Sequence, residues 1–185
     1  MPTFSRSLHH AQPRQGGFTL IELLVVMSLV AILAVWGIPS FHAFGARTST
    51  HSEVQRLQQA LSLARNTAIT RQSTVTLCPA NATQDRCINE WDGPLMVIEG
   101  LAEDTLDEQD TIVRVLPATS GVTVTYNRQW RRMRYTPLGH ASGYNGRFFV
   151  CPESITDHDL PGKEIVLSQL GRVRVQGDID CPLDP

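Results

Sequence analysis

From Phe18 to Ile38 the chain runs through apolar residues with a single charge among them, Glu22. A helix over this run is about 30 Å long at 1.5 Å per residue, enough to span the hydrocarbon core of a bilayer. Before it, Met1 to Gly17 is polar, with Arg6 and Arg14 and no acid, which places that side in the cytoplasm by the positive-inside rule. An exported signal peptide of the ordinary kind has a shorter apolar core followed by a small-residue cleavage site. Here the small residues, Gly16 and Gly17, come first. A plain anchor leaves Glu22 unexplained. A carboxylate within an apolar span costs on the order of 2.5–3.5 kcal/mol on insertion scales and marks a function. Cutting the chain between Gly17 and Phe18 would create its partner, a new α-amino group. Glu22 of one copy then pairs with the Phe18 amine of a neighbour.

The 185 residues leave room for one further domain, and the net charge of −2 argues against a bulk nucleic-acid binder. All four cysteines, Cys78, Cys87, Cys151 and Cys181, follow the apolar run. Their even number in an exported chain points to two disulfides, and the absence of a Cys-x-x-Cys pair argues against zinc. Three pairings are open; Cys78–Cys87 with Cys151–Cys181 is preferred because each closes the shorter loop.

Beyond Pro39, Val54, Leu57, Leu61, Ala64 and Ala68 recur at helical spacing, with Arg56, Gln59, Arg65 and Thr67 mostly on other faces. One helix is expected from Phe18 to about Thr70, kinked near Pro39 and Gly45. After Gln72 the pattern turns to short β runs separated by Gly, Pro, Asn and Asp: 75–78, 95–98, 112–116, 122–126, 133–136, 147–151, 165–167 and 172–175. The fold class read from this is α+β, a long helix carrying a mainly antiparallel β-sandwich. The domain boundaries are 1–17, a leader; 18–70, the helix, with 18–39 transmembrane; and 71–185, the head.

The segment GGFTLIELLVV resembles the leader-and-helix signal of type IV prepilins and pseudopilins. The resemblance implies cleavage after Gly17 by a prepilin peptidase, N-methylation of Phe18, an assembly role for Glu22 and a helix-kinking role for Pro39. LSLARNTAITRQSTVTLCPA, RYTPLGHASGYNGRFFVCP and IVLSQLGRVRV resemble successive blocks of the GspH/FimT-type minor pilins. That family implies an inner-membrane, single-pass protein with its head in the periplasm, which then joins other major and minor pilins in a filament. The machine implied is a type IV pilus, or alternatively a type II secretion system.

Two basic clusters invite a polyanion. In Gly171-Arg172-Val173-Arg174-Val175, strand alternation sends both arginines to solvent and both valines inward. In NRQWRRMRY, Arg132 and Arg134 share a face, with Arg128, Trp130 and Arg131 at the approach and Arg147 as a further candidate. Guanidinium groups suit phosphate and Trp130 suits a base. If the two strands are neighbours, they make one positive stripe. FimT-type members that take part in DNA uptake carry a Gly-Arg-x-Arg motif, and Gly171 to Arg174 resembles it. DNA is therefore a candidate partner, beside a solvated face or a subunit contact.

The acidic stretch from Glu99 to Asp110 has hard oxygen ligands but no EF-hand spacing, so an exposed loop is expected rather than a calcium site. No cofactor or metal is expected. His42, His51, His140 and His158 lie in no catalytic arrangement, and no nucleophile has a recognisable base beside it. An enzymatic head is a remote alternative.

Overall fold

The computed structural model describes residues 19–103, 105–153 and 160–181, and for residues 36–43 the backbone alone. The chain divides into two units, one ending at Ser40 and one beginning at Phe41. Helix α1, Leu20–Arg71, supplies the described part of the first unit and continues into the second. The expected leader, with Gly17 and Phe18, lies outside the described residues, as does the side chain of Pro39.

The helix opens on a cap. Thr19 Oγ1 accepts the Glu22 amide at 3.3 Å, satisfying one of the free N–H groups of the first turn. This cap was not read from the sequence. Glu22 sits in that first turn, where the helix dipole favours an anion. From Leu20 (76% exposed) to Val35 the large apolar side chains are exposed all round the helix. Among the described residues no helix is long and apolar enough to cross a membrane. The apolar run of the sequence extends past the described side chains at both ends, to Phe18 and to Ile38.

In the second unit, eight strands follow among the described residues: β1 Val75–Pro79, β2 Leu95–Glu99, β3 Thr111–Leu116, β4 Val122–Tyr126, β5 Met133–Tyr135, β6 Gly146–Pro152, β7 Gly162–Leu167 and β8 Val173–Ile179. Each overlaps a run read from the sequence, although β7 begins three residues earlier than expected and β8 ends four residues later. They form two sheets, ordered β3-β2-β1-β5 and β4-β6-β7-β8, with every pairing antiparallel. The α+β class is as expected.

The helical stripe Val54, Leu57, Leu61, Ala64 and Ala68 is buried, joined by Ala60, and packs with the inward residues of both sheets in one core. Burying each leucine contributes roughly 1.5–3 kcal/mol. Trp91 anchors that core, edge-on to Tyr126 and to Phe148 at 5.4 and 4.9 Å. A second cluster, including Met96, Ile98 and Ala102, covers the other face of the first sheet. This explains why β1 is buried at every position while β4 alternates.

Two of the polar helix residues assigned to other faces are buried instead. Thr67 is one; Arg56 (7% exposed) is the other, beside a fully buried Glu53 (0%). Arg56 Nε donates to Glu53 Oε2 at 2.7 Å and Nη2 to Oε1 at 2.6 Å. The same guanidinium also donates to the carbonyls of Trp91 (3.2 Å), Gly93 (2.9 Å) and Pro117 (3.1 Å). This clasp ties the helix to two loops of the head. The reading failed because periodicity counts an arginine as solvent-facing, and a fully hydrogen-bonded guanidinium escapes that rule.

Cys78 is bonded to Cys87 and Cys151 to Cys181. The first closes the loop leaving β1; the second ties β6 to the chain after β8. Gly162 makes room for the latter, since a Cβ there would lie 2.4 Å from Cys181 Sγ and 2.7 Å from the Val150 carbonyl.

Candidate functional site

The two basic clusters do not form one stripe. β5 is an edge of the first sheet and β8 an edge of the second, so the strands are not neighbours. Each cluster builds its own surface.

Arg132, just before β5, and Arg134, on it, are half-buried on one side, while Met133 and Tyr135 are buried. That face meets the acidic segment. Arg132 Nη1 donates to the Ala102 carbonyl at 2.6 Å, and Arg134 Nε donates to the Leu101 carbonyl at 2.9 Å. Glu103 lies 3.8 Å from Arg134. These arginines hold a loop, and only their remaining N–H groups face an open cleft of about 720 Å³. Trp130 (38% exposed) borders the cleft, edge-on to Tyr144 at 5.1 Å, with the Arg128 guanidinium 5.7 Å from its ring centre. The Tyr126 hydroxyl donates to the Tyr144 carbonyl behind it. Burial pushes that phenol up to about 12, with Arg128 pulling the other way.

The acidic segment is itself a folded loop. Asp110 accepts the amides of Ala102 (3.0 Å) and Asp107 (3.3 Å). Gly100, at φ 137°, passes so close that a Cβ would meet the Asp110 carboxylate at 2.0 Å. Glu99 pairs with Arg71 and accepts from Ser73. These bonds, Arg71 first, hold its carboxyl below the usual glutamate range. The loop was expected to be exposed; its dependence on β5 arginines was not foreseen. Among the described residues no cluster of His, Cys, Asp and Glu has metal-binding geometry.

Arg147 is also committed, to Glu164 at 2.9 Å across β6 and β7. By contrast Arg172, just before β8, and Arg174, on it, are exposed, and among the described residues their side chains make no hydrogen bond or ion pair. Val173 is half-buried as expected. Val175 is not packed inward; at 40% exposure it lies on an edge strand, opposite Ile165 and just before the register shift. Arg172, Arg174 and Arg65 of α1 line a groove of about 310 Å³ between that helix and β8. Arg65 falls in the segment LSLARNTAITRQSTVTLCPA that carries the family resemblance, but was not among the candidate ligands. Of the histidines, His158 and the side chain of His42 lie outside the described residues.

The second unit is an α+β fold of two antiparallel sheets packed with the last turns of α1 and tied by two disulfides. The chain belongs to the GspH family: the profile for "Type II transport protein GspH" matches residues 53–171, and a prokaryotic N-terminal methylation motif matches residues 12–38. Arg172 and Arg174 fall just beyond the matched stretch. The chain is similar in fold to the type IV minor pilin FimU of Pseudomonas aeruginosa (TM-score 0.58, 18% identity, covering 72% of this chain and 92% of that one). A second crystal form of FimU matches at TM-score 0.55 and 18% identity, covering 69% and 92%. The type IV major pilin protein PilA of Myxococcus xanthus is 49% identical over 49 residues, which is 26% of this chain and 22% of PilA. The chain thus spans about a fifth of that curated relative's length. It is a minor type IV pilin or pseudopilin.

Proposed function

We propose that the chain is a minor subunit of a type IV pilus, made as a single-pass inner-membrane prepilin with its head in the periplasm. A prepilin peptidase cleaves between Gly17 and Phe18 and the new Phe18 amine is methylated. Glu22 then pairs with the amine of an adjoining subunit as the helix passes from lipid into the filament. The observation that carries this is a helix whose apolar side chains are exposed on every side, with one carboxylate in its first turn. Exposed apolar surface of that extent needs lipid or other helices around it. The paired cysteines agree with an oxidising compartment. The PilA identity supports the pilus as the machine. Mass spectrometry of the mature protein tests the processing: a methylated Phe18 at the N-terminus is expected, and retention of Met1 to Gly17 overturns it. Glu22→Ala is expected to abolish filament incorporation.

The same reading includes contact with DNA through Arg172 and Arg174, supported by their freedom from partners. Arg132, Arg134 and Trp130 are secondary, since the two arginines are engaged by the acidic loop. Loss of transformation in Arg172→Ala/Arg174→Ala, with pili still assembled, is expected; unchanged transformation removes DNA from the function. The family description favours a second reading, a pseudopilin of a type II secretion system. A deletion strain separates them: lost twitching supports the pilus, lost secretion the alternative.

A further inference from the structure

The groove between α1 and β8 holds an unmet charge. Arg65 Nε is buried and has no hydrogen-bond partner, and neither has the hydroxyl of Tyr135. Arg65 lies close enough to that hydroxyl to act on its ionisation. Two turns close beneath Arg65 only because both carry glycine. A Cβ on Gly139 (φ 71°) would stand 3.2 Å from Arg65 Nε and 2.6 Å from Ile69 Cδ1. A Cβ on Gly171 (φ 73°) would strike the Gly139 carbonyl at 2.1 Å. The Nε–H is therefore held in place without an internal acceptor, at the cost of a buried orphan donor. On the facing strand, Arg172 and Arg174 stand two residues apart on one side, about 6.6–6.8 Å along the strand. Ser62 and Asn66 complete the walls, and no acid lines the groove.

We propose that Arg65 is a third ligand of this groove, and that the groove takes consecutive phosphates of a nucleic-acid backbone. This rests on the DNA reading above and adds to it a residue from the helix. The spacing of Arg172 and Arg174 suits two successive anions of a polymer rather than one small ion, and Arg65 receives an oxygen of a phosphate between or beside them. Neutral Ser62 and Asn66 offer hydrogen bonds to the same oxygens. The groove presents no aromatic ring for a base to stack on, so binding there carries no sequence preference.

The test uses the full chain in a nonionic detergent and a fluorescent DNA duplex, titrated by anisotropy between about 50 and 200 mM salt. Arg65→Gln is expected to weaken binding about tenfold, as for one charged hydrogen bond. The slope of log K against log salt should also become shallower by about 0.9, one phosphate contact. Arg65→Lys is expected to keep the slope and lose part of the affinity. Arg172→Ala/Arg174→Ala should reduce the slope by about 1.8. If Arg65→Gln binds like the wild type while the double variant fails, the helix residue is no ligand, although the DNA reading survives. No binding by the wild type at the lowest salt overturns both. Competition by a glutamate decapeptide as strong as by unlabelled duplex overturns the phosphate assignment in favour of an acidic strand from another subunit. Should Arg65→Gln melt early, Asn66→Asp adds a carboxylate at an exposed position on the same wall. It is expected to weaken binding several-fold with an unchanged melt, and unchanged affinity overturns the proposal.

Discussion

Replacing Arg56 by methionine keeps most of its length and removes its charge. Glu53, fully buried, then loses both of its guanidinium bonds, and three carbonyls, of Trp91, Gly93 and Pro117, lose donors. Breaking a buried ion pair from one side costs about 3–5 kcal/mol, because the remaining charge stays in a poor solvent. That is a large share of the roughly 5–15 kcal/mol that holds an ordinary domain together. For a domain of this size it lowers Tm by roughly 8–16 °C. Glu53→Leu is expected to cost a similar amount, since it strands the arginine. The double variant Glu53→Leu/Arg56→Met removes both charges and leaves only the carbonyls unmet. Its loss should fall short of the sum of the singles by at least about 2 kcal/mol, the signature of a coupled pair. Melting in detergent, followed by near-ultraviolet circular dichroism of Trp91 in its aromatic cluster, measures this. Arg56→Met costing under about 1 kcal/mol, or singles that simply add, refutes the account of the clasp.

Gly162→Ala forces a methyl against the second disulfide and the Val150 carbonyl, and is expected to cost about 1–3 kcal/mol in a thermal melt; an unchanged melt contradicts the packing. Removing Cys151–Cys181 by paired serines should destabilise more than removing Cys78–Cys87, roughly 3.5 against 2.5 kcal/mol on loop entropy, with urea denaturation as the measure. The Glu99 carboxyl, depressed chiefly by Arg71, favours the folded state above the ordinary glutamate range and loses that contribution as pH falls through its lowered folded value. An NMR titration should show it titrating low, and Arg71→Gln should bring it back up; a Glu99 already in the ordinary range contradicts the pairing.

What the sequence made legible were features that follow a period. The stripe from Val54 to Ala68 declared itself at helical spacing, and β4 at alternation. Strands buried on both faces, such as β1, were caught by the turn residues around them. What stayed hidden depends on contacts between residues far apart in the chain. Arg56 reads as a surface residue until the carbonyls of Trp91, Gly93 and Pro117 are brought to it. The acidic segment reads as a solvated loop until β5 is laid beside it. Strand order is equally invisible: the two basic clusters were candidates for one surface, and pairing placed them on separate sheet edges.

That separation changes how the charge should be weighed. An arginine advertises an anion only if nothing inside the molecule already answers it. Arg56, Arg71, Arg132 and Arg134 donate to internal acceptors and Arg147 has an ion-pair partner in Glu164, so their abundance says nothing of a partner. Arg172 and Arg174 are unanswered among the described residues, as are Arg47, Arg114 and Arg131 of the cleft, whereas Arg65 is half-buried with its Nε buried and unmet. A solvated guanidinium is satisfied by water and costs little, whereas a buried one without an acceptor persists against a penalty. One such buried Nε, closed over by a glycine on a groove that also carries two exposed arginines and no acid, is a sign of an external anion that solvated arginines alone do not give.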